Sequence, residues 1–373
     1  MSANISMFEK LLLSKIKCQY IIKNIFSYLN QKSCLELVRY NKMSQNILNI
    51  NLNNYIDYLK IEIDIIPKEN TRGGFVYLLK DRSFYHIYYN DDKTEITDND
   101  IYNNTKIEKI KLILDYNIKS FYKLFFCCKM IKKINFIKFN RKDINNMSYM
   151  FYNCSFLEEI NFHEFFTDNV TDMSYMFYNC GALKKLSLSK FSTLNLKDIN
   201  NMFSGCKLLN ELDLSNFNTY NILDMNSLFW GCSSLKNIIF SDYNIFNVSD
   251  MSFMFYNCSS LEHIDLSVFN TNNVEDMSSM FCLCSSLRIL NVSNFDTRNL
   301  KYMSFMFMEC SSLIELDLSN FNTQNVEYMQ YLFFDCSSLK KLKVSNFITE
   351  NVKDMESMFY TIIFLFIPKF SLV

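Results

Sequence analysis

From about residue 128 onward the hydrophobic positions alternate between two spacings. One is L-x-x-L-x-L, as in Leu209, Leu212 and Leu214 or Leu313, Leu316 and Leu318. The other is M-x-x-M-F, as in Met173, Met176 and Phe177. The last two leucines of the first spacing alternate with polar neighbours, the period-two signature of a strand with one buried face. The second spacing follows an aspartate at Asp172, Asp198, Asp224, Asp250 and Asp276. That order predicts an N-cap and one or two helical turns with methionine and phenylalanine inward. Ser, Asn and Asp fill the stretches between, as they must in a chain with only 5 glycines and 2 prolines for its turns.

These units recur without a slip. Cys128, Cys154, Cys180, Cys206, Cys232, Cys258, Cys284, Cys310 and Cys336 stand 26 residues apart, and an aromatic column from Phe139 to Phe347, with Tyr243 as one member, keeps the same step. So does the methionine column from Met147 to Met355, in which Ile199 replaces one Met. A fixed period of this size is the signature of a solenoid. One coil cannot bury its apolar edge, but stacked coils can. The expected fold is an α/β repeat solenoid of 26-residue coils, each a short strand, a turn and a short helix. Strands about 4.8 Å apart over nine coils predict a continuous parallel sheet on the order of 40 Å long. An asparagine column (Asn221, Asn247, Asn273, Asn299, Asn325, Asn351) is expected to point inward and bond the backbone of the next coil.

The first hundred residues lack the repeat. Helical spacing joins Ile21, Ile22, Ile25, Phe26 and Leu29; Ser33 precedes a second helix with Cys34, Leu35, Leu37 and Val38, and a third spans Met43 to Leu59. IEIDII at 61–66 and FYHIYY at 84–89 read as strands. The resulting organisation is a helical region at 1–60, short strands and a polar linker at 61–105, and the solenoid at 106–373. The solenoid would open on a capping coil whose strand is IEKIKLIL and end on the irregular TIIFLFI at 361–367.

The unit D-M-S-x-M-F-x-x-C-S-S-L-x-x-L-D-L-S-x-F-N-T-x-N-V, matched best at 250–275 and 302–327, resembles the BspA-type leucine-rich repeat over roughly residues 128–360. The resemblance implies a leucine-rich-repeat-like solenoid that binds other proteins, and surface adhesion as in many bacterial members. The run YIIKNIFSYLNQKSCLELVRYNK, residues 20–42, resembles an F-box, without the family's opening proline or its tryptophan near Met43. That resemblance implies docking of Ile25, Phe26, Leu29, Leu35 and Val38 on the Skp-type adaptor of a ubiquitin ligase. The competing reading is a helical cap on the apolar end of the array.

Composition narrows the function. With 38 basic and 39 acidic residues and no long run of either sign, a nucleic-acid footprint is not expected. The longest apolar run, 362–367, is far short of a bilayer span, and the first twenty residues lack the apolar core of a secretory signal. Thirteen cysteines, an odd number with nine in one column, suit a reducing, cytoplasmic setting better than an oxidising one. A 4.8 Å step is wider than the Cβ separation a disulfide prefers, so the column is expected to be small buried filler. Sequons at Asn153, Asn169, Asn247 and Asn257 adjoin positions read as buried, which disfavours a glycosylating route. His163 and His263 are four coils apart and cannot share an ion; His86 reads as a packed strand residue. No nucleophile–base set, phosphate loop or cofactor motif is present, so neither an enzyme nor a cofactor is expected. Binding is then expected on the outward strand positions, at Asn161, Glu211, Asp213, His263, Asp265, Asn291, Glu315 and Asp317, toward a protein partner with basic groups.

Overall fold

In the computed structural model the described residues are 19–27, 29, 34–35, 38, 41–78, 81–101, 106–163, 165–240 and 245–361. The TIIFLFI stretch, apart from Thr361, lies outside them, as does Tyr243 of the aromatic column.

The helices whose full span lies among the described residues before the first strand are α1 (Gln19–Ser27), α2 (Lys42–Ile47) and α3 (Leu52–Leu59). Asn41 caps α2 by accepting from the Ser44 N–H, and Asn51 and Asn54 form a capping box on α3. Ile22, Phe26 and Val38 form a small core of their own, with Leu29, Ile47 and Tyr55 packed around it.

The next strands are β1 (Ile61–Pro67), β2 (Gly73–Gly74), β3 (Tyr85–Tyr89), β4 (Asp100–Ile101) and β5 (Ile110–Leu114). They lead into β6 (Ile131–Lys138) and β7 (Glu159–Phe162) of the first coils. One five-stranded sheet has the order β3-β5-β1-β6-β7. The period-two pattern of IEIDII buries Ile61, Ile63 and Ile65, which face Leu114, Leu112 and Ile110 across an antiparallel ladder. On its other edge β1 runs antiparallel to β6, so a polypeptide strand closes the apolar end of the array. The segment expected to open the solenoid as a capping coil, β5, is antiparallel to both its neighbours and belongs to this closing sheet.

The coils themselves depart from expectation in their second half. No helix forms in the M-x-x-M-F runs. Met173, Tyr175, Phe177 and Asn179 donate their N–H groups to the carbonyls of Asp198, Asn200, Met202 and Ser204 in the next coil, at 2.7–3.0 Å. Met176, Tyr178 and Cys180 donate back to Met173, Tyr175 and Phe177, at 3.1–3.2 Å. Tyr175 and Asn179 adopt left-handed φ values of 55° and 56°, and the same two positions are left-handed in neighbouring coils. An α-helix would spend these donors within the segment and leave nothing to bond the next coil. Each left-handed residue costs about 1–2 kcal/mol, which the inter-coil bonds and packing offset. The aspartates start a turn rather than a helix: the Asp172 carboxylate accepts from the Ser174 N–H at 2.9 Å, and Asp224 from Asn226 at 2.7 Å.

Inside the run, ten phenylalanines from Phe125 to Phe359 stack face to face with centroids 5.4–5.8 Å apart. The cysteines beside them are buried, as expected, but are more than filler. Eight thiols, Cys154 to Cys336, donate to phenylalanine carbonyls of the preceding coil at 2.9–3.3 Å. Burial pushes their pKa values up, to about 12 at Cys232 and Cys284, which keeps them in the neutral thiol form that donates these bonds.

On the opposite side the strands do not make one continuous sheet. After β7, three parallel pairs are present among the described residues. They join β8 (Glu211–Asp213) to β9 (Asn237–Ile239), β10 (His263–Asp265) to β11 (Ile289–Asn291), and β12 (Glu315–Asp317) to β13 (Lys341–Lys343). The asparagine amides bond the preceding coil, Asn273 Nδ2 to the Phe246 carbonyl and Asn325 Nδ2 to that of Arg298, both at 2.6 Å. They do so on the surface, not in the interior. The inward polar column is threonine: Thr271, Thr297 and Thr323 are buried. The Thr297 hydroxyl donates to the Asn322 carbonyl at 3.0 Å and accepts the Asn322 N–H at 2.7 Å.

Candidate interaction site on the strand face

Outward residues of the coil strands build one surface. Their neighbours Leu212, Ile264 and Leu316 are buried, and strand alternation therefore sends Glu211, Asp213, His263, Asp265, Glu315 and Asp317 into solvent. Asn161 is also exposed and donates to Asn135 at 2.7 Å, whereas Asn291 is half-buried.

The structure divides these residues into two groups. Asn161, Glu211, Asp213, His263 and Asp265 line one shallow groove of about 1020 Å³. Glu315 and Asp317 lie beyond it and are neutralised within the array: Lys341 Nζ is 2.6 Å from Glu315, and Lys343 Nζ is 2.6 Å from Asp317. The Lys343 ammonium, helped by the Ser319 hydroxyl and N–H, lowers the Asp317 pKa to about 2. Among the described residues no ion pair involves Glu211, Asp213 or Asp265. Hydrogen bonds from the Ser215 and Ser267 residues hold the Asp213 and Asp265 pKa values below the usual carboxylate range, so both are charged at neutral pH.

This division was available in the 26-residue step. One step beyond Glu315 and Asp317 stand lysines, whereas the steps on either side of Asp213 and Asp265 hold Ser187, Ile239 and Asn291. Lys185 stands one step before Glu211 on the same groove without forming an ion pair with it. The residues chosen from sequence omitted the apolar part of the surface. Ile239 is 55% exposed on the groove and Ile289 is 61% exposed beside it, with Val268 also open to solvent. An isoleucine at an otherwise polar outward position was the signal.

The helical segment offers a different picture. Phe26, Leu35 and Val38 are 6%, 4% and 0% exposed, and Leu29 packs against the cluster. The Ile25 side chain lies outside the described residues. Phe26, Leu29, Leu35 and Val38, four of the five residues expected to dock an adaptor, are thus occupied in the chain's own packing. Among the described residues, no group of three or more His, Cys, Asp or Glu is placed to hold a metal ion, and no helix is long and apolar enough to cross a membrane.

Stacked 26-residue coils with outward-varying strands define a leucine-rich-repeat-like solenoid. Three solved structures are similar at low identity. A leucine-rich repeat protein of T. pallidum is 17% identical over 52% of this chain and 70% of that one, with a TM-score of 0.27. One from Bacteroides ovatus is 19% identical over 72% and 88%, with a TM-score of 0.22. A leucine-rich cell surface protein of Faecalibacterium prausnitzii is 13% identical over 73% and 95%, with a TM-score of 0.32. No curated protein sequence matches the chain. The chain belongs to the family described as "Mycoplasma protein of unknown function, DUF285", whose matches at residues 119–237, 209–290 and 280–365 together cover the whole repeat array.

Proposed function

We propose that this chain is a non-enzymatic interaction scaffold whose strand-face groove holds a protein partner through basic side chains. The observation that carries this reading is the contrast between Glu211, Asp213 and Asp265, which make no ion pair among the described residues, and Glu315 and Asp317, which the next coil neutralises. Ile239 and Val268 on the same groove supply the apolar centre that a charged rim alone lacks. A reducing, cytoplasmic setting suits the eight thiols that act as hydrogen-bond donors, since oxidation would remove those donors. The sequons lend less support than expected, because Asn169 and Asn247 are exposed, although both amides are engaged by the preceding coil. Surface adhesion is the alternative setting for the same binding face. Docking on a ubiquitin-ligase adaptor has the weakest support, because Phe26, Leu35 and Val38 are buried.

The test is cross-linking of the full chain in lysate of the cells that express it, followed by mass spectrometry. The partner should be captured at the groove, be lost in a Glu211→Lys, Asp213→Lys, Asp265→Lys variant, and persist in Glu315→Gln, Asp317→Asn. Capture that ignores the triple charge reversal, with a native melting temperature, overturns the reading. Removal of residues 1–60 should leave the capture intact; loss of a ligase adaptor on that removal would restore the F-box reading. Digestion of the chain by protease on intact cells would place it at the surface.

A further inference from the structure

A second surface, sharing no residue with the strand-face groove, runs along the outer edge of the turn runs. Two columns of side chains stand there at the same 26-residue step. One contains Tyr149, Tyr175, Phe253, Phe305 and Tyr331; the other contains Tyr152, Tyr178, Trp230, Tyr256 and Phe334. Rings of successive coils stack into ladders: Tyr149 on Tyr175 and Tyr152 on Tyr178 at 4.7 Å, Phe305 on Tyr331 at 5.1 Å, and Trp230 on Tyr256 at 5.7 Å.

Two coils interrupt both ladders. Asn201 and Ser204 hold the ring positions in one, whose pocket is lined by Lys207 and no carboxylate. In the other, Ser279 and Cys282 occupy the two ring positions between Phe253 and Tyr256 on one side and Phe305 and Met308 on the other. The missing rung leaves a slot of about 680 Å³, with Cys282 beneath, aromatic walls at Phe253, Tyr256 and Phe305, and Glu309 at its edge. Glu309 takes part in no ion pair among the described residues, and after burial its charge is what pushes the Cys282 thiol up. Walls two coils apart stand about 9.6 Å from each other, room for one flat group stacked on both.

The array already contains a version of the ligand. One step before Tyr149 the ring position is Lys123, whose ammonium lies 4.9 Å from the Phe126 ring centre, 5.1 Å from Tyr122 and 5.6 Å from Tyr149. There the scaffold satisfies its own aromatic edge with a cation. At Ser279 no side chain of the coil does so.

We propose that this slot receives the guanidinium of an arginine on a partner protein, stacked as the missing rung between Phe253, Tyr256 and Phe305 and paired with Glu309. Planarity, weak hydration and a fork of donors that matches a carboxylate distinguish guanidinium from an ammonium for this geometry. A neutral ring would leave Glu309 uncompensated, and an anion would be repelled.

Saturation-transfer NMR on the full chain with acetyl-Gly-Arg-Gly-amide, against the same peptide carrying citrulline or lysine, tests the assignment. The arginine peptide should receive saturation, the citrulline peptide none, and the lysine peptide clearly less. Ser279→Phe refills the ladder at a position where Phe253 and Phe305 already sit, with φ 57° and 58° against 56° at Ser279. It should abolish binding while keeping the melting temperature. Glu309→Gln should weaken binding about tenfold, and Glu211→Gln on the strand face should leave it unchanged. No binding by the native chain, equal binding of citrulline or lysine peptide, or binding that survives Ser279→Phe would each overturn the assignment. None of these outcomes bears on the strand-face groove.

Discussion

On the turn side, at least four backbone N–H groups cross every junction between the described coils, and a phenylalanine stack runs beneath them. On the strand side, three-residue ladders join coils only in pairs after β7, and the exposed residues range from Glu211 to Ile239 to Lys341. The two sides therefore carry different burdens. Dense backbone bonding on one side specifies the stack, and the sparse bonding of the other leaves its side chains free to differ from coil to coil. A repeat protein can vary a surface at low cost where that surface does not hold the coils together.

Four substitutions press on that comparison. Phe229→Ala removes a fully buried ring from the middle of the stack and should cost about 3–5 kcal/mol, read as a shift in the denaturant midpoint. A loss below about 1 kcal/mol would move the structural burden elsewhere. Thr297→Val leaves the Asn322 N–H and carbonyl without their buried partner and should cost about 1–3 kcal/mol by the same assay.

Asp198→Asn should act in the opposite direction. Burial, followed by the neighbouring Asp172 and Asp224 carboxylates, raises the Asp198 pKa from 3.8 to about 6. Its charged form therefore destabilises the folded state above pH 6, and that penalty is relieved as the pH falls from about 6 toward 4. The amide should stabilise the chain near neutral pH by on the order of 1 kcal/mol, discounted for screening at a half-exposed site, and the two melting temperatures should converge below about pH 4. Asn146 already takes this place in an earlier coil and keeps the turn bond from the Ser148 N–H at 2.9 Å. A destabilised amide variant at pH 7 would contradict the carboxylate ladder. The smallest effect belongs to the strand side, where Glu211→Gln should change stability by no more than about 0.5 kcal/mol. A larger loss there would erase the distinction between the sides.

Much of this architecture was legible in the chain. The inward placement of Met173, Met176, Phe177 and Cys180 followed from column and spacing, as did the outward placement of Glu211 and Asp265. The helix expected after Asp172 does not form, although Asp-Met-x-x-Met-Phe satisfies helical periodicity as well as it satisfies a run of turns. Local propensity does not weigh the hydrogen bonds that a neighbouring coil offers. The asparagine column lies on the surface and not in the interior for a related reason: its partner, the carbonyl 27 residues earlier, is a surface group once the coils stack.

By itself the sequence determined the coil length, the register of each column and the side of the coil that carries charge, because a strict 26-residue step places every residue above its own equivalent. Tertiary structure alone decided the backbone of the M-x-x-M-F run, the fragmentation of the sheet and the aromatic slot at Ser279. Each depends on which coil's donors, rings and carboxylates lie within reach, and that distance exists only after the coils are stacked.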